Sequence, residues 1–218
     1  MNQSTEPAVH IHCHVLGPFE TNCYIVEVEG SRDCWVVDAG FEPDPMLQVL
    51  KDRKLQPVKL ILTHAHVDHI AGINRVRKEY PDLPILIHQA EADFLSDPQL
   101  NLSAAMGIPV TAPAADGYLQ EDDEPELAGS RWRVLHTPGH SPGGIVLYHA
   151  ASGNALVGDT LFYGSIGRFD FPTSDEQQLY RSIREKLYSL PGDTVVHPGH
   201  GPSTTIERER SGNPFVRL

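Results

Sequence analysis

Apolar and polar residues alternate from Val9 to Val15, and two further runs, Cys23 to Val28 and Cys34 to Val37, are rich in β-branched and aromatic side chains. Gly17-Pro18 and Gly30-Ser31 punctuate them, so the pattern predicts three antiparallel strands. From Pro43 to Leu55 the apolar residues Met46, Leu47 and Leu50 share one helical face, and Val58 to Leu62 is an apolar run of strand length. A helix is predicted over 70–80, closed by Pro81, followed by a short strand from Leu83 to His88. Arg131 to Thr137, Ile145 to His149 and Ala155 to Val157 predict three more strands, with Pro138-Gly139 and Gly143-Gly144 turning the chain between the first two. Asp175 to Leu190 has helical period and ends at Pro191-Gly192, and Thr194 to Val196 is a last strand. Residues 97–130 are rich in Pro, Ala, Gly and acidic residues without a period, which is long for a connection and implies a functional or mobile loop. The two halves are loosely alike in element order, which suggests two packed sheets flanked by helices.

Composition bounds the function. The 218 residues are 40% hydrophobic, enough to bury a substantial core, and no composition shift marks a linker, so one domain is expected over 1–218. No apolar run has the length of a signal peptide or a membrane span, which predicts a cytoplasmic protein without a membrane partner. A formal charge of -12 repels a phosphate backbone, and the alternating Glu207-Arg208-Glu209-Arg210 reads as a solvated face, so nucleic acid is excluded as a substrate. Cys13, Cys23 and Cys34 lack metal or redox spacing and read as reduced, buried small hydrophobes.

The twelve histidines cluster in short loops. Four stretches put metal-ligand residue types where a predicted strand gives way to a loop: Thr63-His64-Ala65-His66-Val67-Asp68-His69, Pro138-Gly139-His140, Gly158-Asp159-Thr160 and Pro198-Gly199-His200-Gly201. His64 and His66 are two apart, so in extended chain their imidazoles project to the same side and can share one metal ion. Asp68 and His69 fall past the bend into the helix and can address a second ion, while Asp68 can also cap the helix start. His140 can complete the first set and His200 the second. Asp159, with two carboxylate oxygens, can bridge. Five neutral imidazoles with two carboxylates suit two divalent ions, zinc first, with iron or manganese also compatible.

Two divalent cations, two aspartates and a hydroxide leave a site of about +1, which suits hydrolysis. A metal-bound water loses its proton near neutral pH, and the residual positive charge favours the oxyanion formed when hydroxide attacks a carbonyl carbon. No serine or cysteine nucleophile is required.

These motifs, His140 within His-Thr-Pro-Gly-His and Asp159 within Val-Gly-Asp-Thr-Leu-Phe, resemble the metallo-β-lactamase superfamily, and within it the glyoxalase II (hydroxyacylglutathione hydrolase) group, from about residue 9 to the end. The resemblance implies an α/β, four-layer αββα sandwich of two mixed sheets with the metals at one edge. It assigns His64, His66 and His140 to the first metal, Asp68, His69 and His200 to the second, and Asp159 as the bridge, so that Asp68 and Asp159 belong to the catalytic centre. Asp159 also argues against the commonest zinc β-lactamases, which place a cysteine there. Gly164 to Asp170 and Asn213 to Val216 look like the short, single-domain bacterial branch, which lacks the C-terminal helical domain that supplies basic residues for glutathione. The function implied is hydrolysis of a small-molecule thioester, an S-acylglutathione such as S-lactoylglutathione being the first to consider. A mononuclear iron persulfide dioxygenase is the alternative, although His200 precedes Gly201-Pro202 rather than the acidic and aromatic pair usual there. A non-catalytic metal-binding protein is the alternative of another class.

His10, His12 and His14 alternate along the first strand without an accompanying carboxylate or glycine-rich loop, and read as a partly exposed face. His136 and His197 precede ligand loops and can orient them; His88 and His149 read as packed histidines. Arg168 and Asp170 can pair, with Asp170 supporting a metal-ligating histidine. Tyr163 and Phe169 are candidate pocket residues.

Overall fold

A computed structural model describes residues 6–217. The first half builds a six-stranded sheet of β1 (Val9–Leu16), β2 (Thr21–Val28), β3 (Asp33–Val37), β4 (Gln56–Ile61), β5 (Ile85–His88) and β6 (Gly117–Leu119), in that order. The first three strands are antiparallel and the rest join in parallel, because helices intervene between them. Those helices are α1 (Asp44–Asp52), α2 (Val67–Ile70) and α3 (Ile73–Glu79).

After a two-residue hairpin, β7 (Glu126–Leu127) and β8 (Ser130–Arg131), the second half builds a five-stranded sheet. It contains β9 (Arg133–His136), β10 (Ile145–His149), β11 (Asn154–Gly158), β14 (Val195–Pro198) and β15 (Thr204–Thr205), in the order β15-β14-β11-β10-β9. Between β11 and β14 lie the small hairpin β12 (Leu161–Phe162) and β13 (Ser165–Ile166), then α4 (Glu176–Arg181), whose axis continues as a π-helical turn through Leu187; α5 (Ile206–Gly212) follows β15. Both sheets are mixed, since β11 and β14 run parallel among antiparallel neighbours.

Three buried clusters define the layers. Val26, Trp35, Val37 and Ile61 of the first sheet meet Trp132, Val134, Leu147 and Leu156 of the second, with the two indoles 5.9 Å apart. The outer face of the first sheet buries Ile25, Val36 and Leu60 against Met46, Leu50, Ile70 and Ile73. The outer face of the second buries Val146, Ala155 and Val196 against Leu179, Ile183 and Ile206. Every residue of β2 is buried because both of its faces are covered. This is the expected αββα sandwich, and each fully buried aliphatic side chain contributes about 1.5–3 kcal/mol relative to exposure.

Four expectations are corrected. The helix predicted over 70–80 is two helices: a Cβ on Gly72 would lie 2.2 Å from the Gly40 carbonyl, and the close approach bends the chain there. Residues 97–130 carry short elements, including a helical turn at Ala104–Met106 and β6 to β8, too brief to leave a period. Cys13 lies exposed on the edge strand, whereas Cys23 and Cys34 are buried, and all three are free. Within the charged run 207–210, Glu209 is fully buried and accepts hydrogen bonds from Thr204 Oγ1 (2.6 Å), Asn213 Nδ2 (2.9 Å) and the Gly164 amide (2.9 Å), so it ties α5 to the β12–β13 turn.

Candidate metal centre

The loops leaving β4, β11 and β14, with the one between β9 and β10, meet at one edge of the sandwich and bring His64, His66, Asp68, His69, His140, Asp159 and His200 together. Possible ligand atoms fall into three overlapping groups, each within 4.8 Å: His64, His66 and His140; His64, His69 and Asp159; Asp68, His69 and His200. Asp159 spans them, with Oδ1 3.4 Å from His69 Nε2, and Oδ2 3.5 Å from His140 Nε2 and 3.6 Å from His200 Nε2. Asp68 Oδ2 is 3.1 Å from His200 Nε2 and accepts from Thr21 Oγ1 at 3.1 Å. It does not cap α2, whose N-cap is His66 without a side-chain cap bond.

Most of these imidazoles are held from behind. His69 Nδ1 donates to Asp38 Oδ2 (2.8 Å), His140 Nδ1 to the Arg168 carbonyl (2.8 Å) and His200 Nδ1 to the Phe19 carbonyl (3.1 Å). Each of these bonds places a proton on Nδ1 and turns Nε2 toward the site. His66 Nδ1 lies 2.9 Å from His140 Nε2, within hydrogen-bond distance, so these two nitrogens face each other at the site.

Fit to cations is tested by what is left unpaired. His64 Nε2, His69 Nε2 and Asp159 Oδ1 are buried without a hydrogen-bond partner, although a buried polar atom left so costs about 1–3 kcal/mol; His66 Nε2 is also unpaired, on the side of its ring away from His140. Burial, reinforced by neighbouring imidazoles, pushes the pKa of His64 well down, and burial then His140 take His66 down to about 3. His140 is lowered by burial against the pull of Asp159. These three are therefore neutral at physiological pH, the form a metal ligand needs. Burial would also lower His69 and His200, but the carboxylates of Asp68, Asp38 and Asp159 outweigh it for His69, and those of Asp68 and Asp159 for His200. Burial would raise Asp68 and Asp159, and the facing histidines hold both below the usual carboxylate range. The donor set fits two divalent ions.

Three supports escaped the sequence reading. Asp38 ends β3 and accepts from the Thr63 amide (2.8 Å), Thr63 Oγ1 (2.7 Å) and His69. It is another strand-end acid, in Val37-Asp38-Ala39-Gly40, so the signal that picked out Asp159 could have found it. Glu91, fully buried, accepts from the Ala65 amide and from the Gly143 amide (2.7 Å), tying the His64–His66 loop to the His140 loop; burial pushes its pKa up against those bonds. Asn22 Nδ2 donates to the carbonyls of Pro198 (2.9 Å) and Gly201 (2.8 Å), straddling His200 from the other sheet. Nothing in the spacing around Glu91 or Asn22 points to either.

His136 Nε2 donates to the Pro142 carbonyl (2.9 Å) and so holds the His140 loop, while its ring stacks on His88 at 3.9 Å. His197 bonds Asn154 Oδ1 (2.8 Å) on the neighbouring strand. His149 lies buried between Ser130 and Ser152. His10, His12 and His14 join none of the candidate metal groups among the described residues. Arg168 and Asp170 pair through two bonds (2.9 and 2.8 Å), but His140 is supported by the Arg168 carbonyl rather than by Asp170. Tyr163 points to solvent beneath Arg208, and Phe169 packs on Tyr180; the pocket takes Phe162 and Phe171 instead.

That pocket, about 520 Å³, opens over Asp68, His140, Asp159 and His200. Its apolar wall is Phe19, Leu102, Ala105, Met106, Phe162 and Phe171.

Gly199 has no room for a side chain: a Cβ there would lie 2.0 Å from Asp159 Oδ1 and 2.8 Å from His69 Cε1. Displacing reacting groups by about 1 Å can cost about 10²-fold in rate. Gly199→Ala is therefore expected to bind fewer than two metal ions and to lose turnover on that scale, measured by elemental analysis and assay. Unchanged values for both would show that this close approach does not matter.

Residues 16–200 match the metallo-beta-lactamase superfamily model, and the chain belongs to that superfamily. It is 39% identical over 202 residues to the "Probable metallo-hydrolase YqgX" of Bacillus subtilis (strain 168), covering 92% of this chain and 94% of the relative. It is 32% identical over 200 residues to "Hydroxyacylglutathione hydrolase GloC" of Haemophilus influenzae, covering 91% and 93%. Among solved structures it is similar to the BLEG-1 B3 metallo-beta-lactamase (TM-score 0.90, 36% identity, 95% of this chain and 99% of the other). It is also similar to TTHA1623 in a di-iron-bound form (TM-score 0.84, 36% identity, 94% and 100%). No helix among the described residues is long and apolar enough to cross a membrane.

Proposed function

We infer that this chain is a dinuclear metal-dependent hydrolase of thioesters. The observation that carries the reading is the convergence of five imidazoles and two carboxylates at one edge of the sandwich, with His64 Nε2, His69 Nε2 and Asp159 Oδ1 buried and without a hydrogen-bond partner. His64, His66 and His140 would hold one ion, Asp68, His69 and His200 the other, and Asp159 both; zinc suits this donor set, and the di-iron neighbour makes iron an equal candidate. When bound, the ions would acidify water and polarise a carbonyl oxygen.

The remaining chemistry belongs to the chain. The described pocket lining contains no serine, threonine, cysteine or tyrosine, and its carboxylates and imidazoles are the candidate ligands, which favours water as the nucleophile. Asp68 and Asp159 present carboxylate oxygens that accept hydrogen bonds from that water and orient it. Asp38 and the Arg168 carbonyl keep His69 and His140 in register throughout. Water adds to the thioester carbonyl carbon, the C–S bond breaks, and the products are a carboxylic acid and a thiol. Similarity to the Haemophilus protein favours a thioester over other acyl compounds.

The test is elemental analysis of purified protein combined with a panel of thioesters, S-lactoylglutathione included, and a β-lactam as the rival suggested by the BLEG-1 similarity. About two ions per chain and thioester turnover are expected. Two ions with no turnover of any thioester would sink the reading, and β-lactam turnover alone would replace it.

A further inference from the structure

The wall of the pocket is built at a conformational cost. Leu102 has φ of 70°, a left-handed conformation that is an outlier for a bulky residue, and it projects into the cavity beside Ala105 and Met106. The segment is pinned from below by Asn101, fully buried, whose Nδ2 donates to the carbonyls of Phe94 (2.9 Å) and Val110 (3.0 Å). Asn101 Oδ1 accepts from the Ser103 amide (3.1 Å), and its carbonyl accepts from Val67 (2.9 Å), beside the metal-ligand residues. A loop so anchored, and strained at one leucine, places apolar groups where the substrate must lie. It nevertheless leaves Met106 42% and Ile108 61% exposed.

The opposite wall is aromatic and begins at the candidate ligands. Phe171 sits edge-on to His66 at 5.2 Å and to His140 at 5.8 Å, and Phe162 lies 6.1 Å from His200. Phe19, 42% exposed, continues the apolar surface to the rim. Beyond the candidate ligands, the polar side chains of the lining are Gln99 and Arg168. The Arg168 guanidinium is already engaged by Asp170 and lies 4.3 Å over the Phe171 ring. No free cation lines the described cavity for the two carboxylates of a glutathione arm, and a chain of net charge -12 repels polyanionic carriers. A polar thiol carrier is thus better left in solvent, with the acyl arm inside.

We propose that the cavity is an acyl subsite that selects thioesters with an extended apolar acyl chain, held between Leu102, Ala105 and Met106 on one side and Phe162 and Phe171 on the other. The proposal rests on the thioester reading above and departs from S-lactoylglutathione, whose acyl group is small and hydroxylated. Burying each added methylene raises affinity about fourfold while space remains.

The experiment has two arms, both on metal-loaded protein. In the first, kcat/KM is measured for acetyl, butyryl and hexanoyl thioesters of one thiol. A rise of about 10²-fold from acetyl to hexanoyl is expected, carried by KM because the gain is uniform binding. In the second, binding of acetate, lactate and hexanoate is measured calorimetrically, with hexanoate expected to bind about 10²-fold more tightly than either of the others. Leu102→Gly folds without strain at this backbone conformation and removes one wall, so it should cut the hexanoyl-to-acetyl selectivity about tenfold. Equal affinity for the three acids, or a flat acyl series, overturns the proposal. Tight hexanoate binding without turnover of any thioester leaves the apolar subsite standing and sinks the hydrolase reading instead.

Discussion

Asp159→Ala is expected to bind fewer than two metal ions and to lose about 10³-fold in kcat/KM, because stabilisation by a bound ion is worth several kcal/mol and each 1.36 kcal/mol is tenfold. The expectation follows from position. Of the seven side chains, Asp159 faces His140 of the first set and both His69 and His200 of the second, at 3.4 to 3.6 Å. Its carboxylate supplies negative charge between two places where cations would otherwise repel each other. Asp159→Asn keeps the shape and one oxygen but not the charge, so it should fall between alanine and the parent in both readouts. Elemental analysis and steady-state kinetics on the same preparations decide the matter. Two ions per chain in the alanine variant, with kcat/KM within tenfold of the parent, would remove Asp159 from the centre of the mechanism.

Histidine and aspartate at strand ends were legible because the chemistry demands those residue types at short spacings, whatever surrounds them. The layers were legible for a related reason: β1 alternates from Val9 to Val15, and the fully buried β2 shows itself as a run rich in β-branched and aromatic residues instead. What escaped depends on the third dimension. Tyr163 and Phe169 were expected in the pocket and Phe162 and Phe171 line it instead: Tyr163 stands in the β12–β13 turn under Arg208, and Phe169 and Phe171 lie in irregular chain beyond β13, where no period fixes which side chain faces inward. Glu209 looked like one charge in a solvated run, yet α5 turns it inward to cap three donors. Asn22 and Glu91 act across 176 and 52 residues of sequence, to Pro198 and Gly143, and long-range partners leave no local pattern.

The loop at 97–110 shows the same limit from the other side. Its composition suggested mobility or function. The buried side chains of Asn101 and Ser103 make it an ordered wall of the pocket. A polar residue inside such a loop is hard to assign from sequence, because asparagine and serine are equally common in solvated turns.

Asp38→Ala is expected to be the most damaging substitution outside the candidate ligands, lowering stability by about 3–5 kcal/mol, the range for breaking a buried charged pair by removing one partner. Asp38 is 1% exposed and its two oxygens accept from the Thr63 amide, Thr63 Oγ1 and His69 Nδ1. Removing the carboxylate leaves those donors buried and unpaired, and each unpaired donor costs about 1–3 kcal/mol. At about 2–4 °C per kcal/mol for a chain of this size, Tm should fall by roughly 6–20 °C. The same substitution frees the His69 ring, and loss of a partner behind a ligating histidine typically lowers metal affinity about 10–100-fold. The two effects separate in a comparison with Asp38→Asn, which retains one acceptor for the Thr63 amide. It should recover part of the Tm while still holding His69 poorly, so that weak metal binding persists in a folded protein. Thermal unfolding measured with chelator and with added zinc reads both at once, since an ion that binds only the folded chain raises Tm in proportion to its affinity. An alanine variant within about 0.5 kcal/mol of the parent, the range of ordinary surface substitutions, would mean that Asp38 does not hold the His64–His69 loop in place.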